Sequence, residues 1–153
     1  MKYLSSPALA ALAIALPILT AHAQDSRSGA ALPPDALFAR VSPSVWVVQA
    51  SDAQGKVLAT GSAVATGAGT AVTSCQLLAK AGSVTLKRDN VSYGAALALP
   101  DVERDLCQLS IPNLPAAVAE VAPANALQVG MPLYVIGAPR GKELTLGIGM
   151  LGG

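Results

Sequence analysis

Few side chains in this 153-residue chain are equipped for chemistry, and their spacing limits what that chemistry is. Cys75 and Cys107 stand 32 residues apart, Gln76 follows the first, Asp105 lies two residues before the second, and Lys80 falls between Ser74 and Ser83. A carboxylate can orient a proton-transfer partner, a thiolate can attack, and a lysine can serve a serine as base. The only histidine is His22, near the N-terminus, so residues 24–153 have no imidazole to act as general base or metal ligand. Gln76 is an amide, which hydrogen-bonds but has no useful proton affinity near neutral pH. Lys80 would have to meet Ser74 or Ser83 to act as their base; a solvated loop lysine is the plainer reading. Cys75 as nucleophile lacks a base. Two thiols without histidine make a poor zinc site, and the few carboxylates are scattered, so neither a metal nor a cofactor is expected. The run VIGAPRG, Val135 to Gly141, lacks phosphate-loop spacing and reads as a turn between strands. Trp46, the single tryptophan, reads as a residue of the core or the barrel end.

The address is written at the N-terminus. Lys2, an apolar stretch from about Ala8 to Leu19 and the triplet Ala21-His22-Ala23 form a secretory signal pattern, with cleavage expected after residue 23. The apolar stretch is shorter than the roughly 20 residues of a spanning helix, and Pro17 interrupts it. An exported chain is expected, periplasmic or secreted. Export favours pairing Cys75 with Cys107, two buried free thiols being the alternative. Of ten Lys and Arg and nine Asp and Glu, only Lys2 lies in the signal, so the remainder is balanced. A chain near neutrality, with no basic cluster longer than Lys87-Arg88, argues against nucleic acid or an anionic membrane as partner.

The elements that must position these residues are short. Residues 24–36, polar and without period, read as a flexible leader, although Pro34 to Val41 can form a short helix stopped by Ser42-Pro43. Strand-like runs follow at 44–50, 56–66, 69–74, 83–88, 91–99, 105–111, 132–138 and 143–150, each bounded by turn residues such as Asp89-Asn90. A single helical turn is expected near Leu77 to Lys80. Abundant alanine weakens individual strand assignments, whereas the rhythm of turns supports a small antiparallel barrel or sandwich.

Four segments in order resemble the first half of a bacterial trypsin-like serine protease of the HtrA/Deg type. LFARVSPSVWVVQA resembles the family's leading segment and first strand, and GSAVATGAGTAVTSCQLL its G-S-G to T-N-x-H-V run. DVERDLCQLSI resembles the motif carrying the triad aspartate, and LQVGMPLYVIGAPRGKELTLGIGMLGG the V-G to I-G-x-P-x-G segment that leads toward a second barrel. The resemblance implies an all-β chain over residues 37–153, a single six- to seven-stranded antiparallel barrel like the N-terminal half of a chymotrypsin-like double barrel. It places Asp105 at the triad aspartate and Gln76 at the triad histidine, and brings Cys75 and Cys107 to one end of the barrel. No nucleophile is identified, because the family's G-N-S-G-G motif is absent from this sequence. A triad needs its imidazole to cycle protons, so the resemblance implies a catalytically degenerate relative. Such a chain would act, if at all, by binding protein or peptide on the face that relatives cover with a second barrel, or by self-association. A truncated remnant, and an endopeptidase completed by another chain, are the alternatives.

Overall fold

The structure, a computed structural model, describes residues 32–152; the expected signal at 1–23 and most of the leader lie outside them. Strands form at all eight expected places: β1 Val45–Ser51, β2 Val57–Gly67, β3 Thr70–Thr73, β4 Ser83–Arg88, β5 Val91–Asp101, β6 Leu106–Ser110, β7 Pro132–Gly137 and β8 Thr145–Met150. Six of them close into a barrel in the order β1-β2-β3-β6-β5-β4, with every pair antiparallel. Because β3 lies beside β6 while β4, β5 and β6 follow one another as hairpins, the connectivity is a Greek key. The connection from β3 to β4 carries the short helix α2, Cys75–Leu78. β7 and β8 form a separate two-stranded sheet. The all-β assignment and the lower bound of six barrel strands therefore hold, and the seventh and eighth strands stand outside the barrel.

Packing explains the alanines that made the strands look weak. Ala50, Ala63, Ala65 and Ala71 are completely buried beside Val48, Leu86, Leu109 and Ile111. The lumen of a six-stranded barrel is narrow, so large side chains from β1, β4 and β6 fill it where β2 and β3 contribute alanines. Breaks of register at Ala50/Ser51, Ala65/Gly67 and Leu97/Leu99 bend the strands round the closure. Trp46, 4% exposed, closes one part of this core, edge-on to Tyr93 at 5.6 Å and beneath the Arg88 guanidinium at 5.8 Å.

The helix α1 spans Pro34–Val41, as the proline and the Ser42-Pro43 stop predict. It takes residues 34–36 out of the segment that composition assigns to the leader, because Pro34 fixes the first turn and Asp35 suits its positive end. No helix among the described residues is long and apolar enough to cross a membrane.

Candidate functional site

Asp105 owes its position to the turn between β5 and β6. Asp101 folds that turn, its carboxylate accepting the Arg104 backbone N–H at 3.1 Å and the Arg104 guanidinium at 2.8 Å. The Asp105 N–H then donates to the Val102 carbonyl at 3.2 Å, and Asp105 takes a left-handed backbone with φ 55°, a region that aspartate tolerates better than most residues. Its carboxylate is thereby aimed across the end of the barrel at the start of α2.

There it collects hydrogen-bond donors. The Ser74 hydroxyl donates to one carboxylate oxygen at 2.6 Å and the Gln76 backbone N–H to the other at 2.9 Å. These bonds, the serine's first, hold the Asp105 carboxyl below its ordinary value near 3.8, with partial burial pulling weakly the other way and the Cys75 N–H adding to the depression. Ser74 precedes α2, where a side-chain cap would be usual, yet its hydroxyl makes no local cap. The helix start is instead capped from the turn between β5 and β6 by Asp105.

Cys75 and Cys107 are bonded, with Cα atoms 5.0 Å apart, at the same end of the barrel. Thr73 pairs with Cys107 across β3 and β6, so the bridge joins the chain just beyond a strand pair that already meets. By the chain-entropy model a loop of this length contributes about 3 to 4 kcal/mol. On the other side α2 rests on β2, where a Cβ at Gly61 would fall 2.5 Å from Leu77 Cδ1 and would push that leucine side chain aside. The helical turn covers Cys75–Leu78 rather than Leu77 to Lys80: Lys80 adopts φ 66° and ends it.

Gln76 is exposed, and it meets Asp105 through its backbone N–H rather than its side-chain amide. Asp105, Gln76, Ser74 and the disulfide thus lie together at this end of the barrel. Lys80 and Ser83 make no hydrogen bond to Ser74, whose hydroxyl is committed to Asp105. What sequence reasoning missed is Ser74 as the carboxylate's partner; the one available signal was its place directly before Cys75 in the same motif. Among the described residues no group of three or more His, Cys, Asp or Glu gathers as a metal site. A groove of about 720 Å³ opens between α1, β1 and the loop before β8, lined among others by Phe38, Val47, Lys87 and Lys142, but none of the Asp105 cluster lines it.

The closed Greek-key barrel with an aspartate at the start of β6, facing the turn after β3, defines a single barrel of the trypsin-like peptidase kind. Solved structures share this fold. An HtrA-type protease, AlgW with tripeptide, superposes with a TM-score of 0.72 at 23% identity, over 80% of this chain and 40% of that one. The serine endoprotease from Yersinia pestis gives 0.71 at 20% identity, over 80% and 45%. The Rv3671c protease from M. tuberculosis in its active form gives 0.68 at 23% identity, over 74% and 50%. The chain thus spans half or less of the length of these three structures. No curated protein sequence matches the chain. The trypsin-like peptidase domain family matches residues 59–152, more than half of the chain, and the chain belongs to that family.

Proposed function

We propose that this chain is an exported, non-cleaving relative of the trypsin-like peptidases that binds protein or peptide. The observation that carries the reading is Gln76. An exposed amide stands where the family's proton-cycling imidazole would meet Asp105, and that carboxylate is already committed to Ser74 and to the backbone of α2. Residues 24–153 contain no histidine that could replace it. The carboxylate serves to cap a helix, a role that needs no base to orient. The disulfide accords with an oxidising compartment, periplasmic or extracellular.

Binding would use the β7–β8 hairpin. It is a two-stranded sheet, an arrangement of marginal stability alone, and it presents Val135, Ile148 and Met150, each at least 65% exposed. A polypeptide or a second copy of the chain can add to such an edge by backbone pairing. One observation favours a second reading, a serine endopeptidase completed by another chain: Asp105 still faces the turn after β3. Hydrolysis of a denatured protein substrate by the full chain separates the two. No turnover above an Asp105→Ala control is expected, while turnover that this substitution abolishes would establish the peptidase.

A further inference from the structure

The covalent and the hydrogen-bonded links at the barrel end join the same two segments. Cys75 lies between the donors Ser74 and Gln76, and Cys107 lies two residues beyond the acceptor Asp105. Between them these links hold α2, which has four residues and whose own backbone bonds, Leu77 to Ser74 and Ala79 to Gln76, are 3.3 Å each. A helix of that length does not persist unaided.

We propose that the disulfide and the Asp105 carboxylate form a thiol-operated latch: closed, the bridge keeps α2 on the carboxylate; reduced, α2 detaches from Asp105 while the barrel stays folded. The latch is independent of what the chain binds. Its moving part is only lightly held by packing: none of the fully buried core residues belongs to α2, which meets the core through the half-buried Leu78 and β2 through Leu77. The β3–β6 pairing at Thr73 and Cys107 is a backbone contact that does not require the sulfur bond. The two cysteines also differ in exposure, Cys75 being half-buried and Cys107 only 2% exposed.

A dithiol reductant therefore meets Cys75 first. Its thiolate attacks the Cys75 sulfur, the S–S bond breaks, and Cys107 leaves as a thiolate. The reductant's second thiolate then attacks its own sulfur in the mixed disulfide and expels the Cys75 thiolate. Two electrons pass to the protein, both cysteines take protons from solvent, and the reductant departs as its cyclic disulfide. Opened, the site exposes the Asp105 carboxylate, the Ser74 hydroxyl and a free Cys75 thiol. Because coupling is reciprocal, weakening the carboxylate's bonds must also make the disulfide easier to reduce.

The test compares the full oxidised and reduced chain by amide exchange and near-ultraviolet circular dichroism, and titrates its disulfide, with those of Asp105→Asn and Ser74→Ala, against a glutathione buffer. Protection of the Gln76 N–H should fall about tenfold or more on reduction while the Trp46 signal persists. Both variants should shift the glutathione equilibrium toward the dithiol by about fivefold or more. Unchanged Gln76 protection, or an equilibrium that neither variant moves, would overturn the latch. So would loss of the Trp46 signal on reduction, since the bridge would then support the whole barrel instead of gating one end.

Discussion

Asp105 sits in a conformation that most residues avoid, and in this chain the reward is structural. Its two oxygens answer the Ser74 hydroxyl and the N–H of Gln76, groups that would otherwise be satisfied only by water. Because the folded carboxyl titrates below its ordinary 3.8, its ionised form stabilises the fold at neutral pH. That contribution is lost as the pH falls through the folded value. Asparagine keeps the shape and tolerates the left-handed backbone but removes the charge. The Asp105→Asn protein should therefore be less stable than the parent at pH 7, and the two should converge as acid protonates the parent. Urea midpoints measured from neutral pH down to about pH 2 check this, and parallel curves would deny the carboxylate its role.

At the scale of elements, turns carried more information than propensities. Strand β5 contains Ala95, Ala96 and Ala98, poor strand formers, yet it runs from Val91 to Asp101 because β4 and β6 supply partners on both sides. The β7–β8 hairpin is seated on the barrel by the turn between its strands. Ser62 Oγ accepts the Ala138 N–H at 2.8 Å, and Gly141, at φ 69°, lies where a Cβ would come within 2.7 Å of the Thr60 side chain. Gly141→Ala combines a left-handed alanine with that clash, and should weaken the seat by about 1 to 3 kcal/mol. Amide exchange should speed up at Ala138 while β1–β2 amides keep their protection; an unaltered Ala138 rate would mean the hairpin is held by something else.

For the molecule as a whole, the core is small and depends on a few large side chains. Leu109 is completely buried in a core cluster that includes Leu86, Ile111 and three alanines, and an alanine cannot extend to fill a void. Leu109→Ala should cost about 2 to 5 kcal/mol, near the upper end because six closed strands leave little room for collapse. Urea unfolding followed by Trp46 fluorescence measures it, and a loss below about 1 kcal/mol would show that the lumen relaxes. The fourth side of the Greek key, β3 against β6, is the closure that the disulfide reinforces, so the barrel and the Asp105 site share one seam.

By itself the sequence determined the eight strands, because Asp, Asn, Gly and Pro punctuate them locally, and it determined that no imidazole stands at position 76. It also placed Asp105 and both cysteines at one end of the barrel, through motif order. Only the tertiary structure decided that six strands close while β7 and β8 stand apart, and that Gln76 serves Asp105 with its backbone. Likewise it alone revealed Ser74 as the carboxylate's first partner. The division has a physical cause. Turn chemistry and residue identity are properties of neighbours along the chain, whereas barrel closure and the aim of a carboxylate depend on contacts between segments some thirty residues apart, as from Ser74 to Asp105.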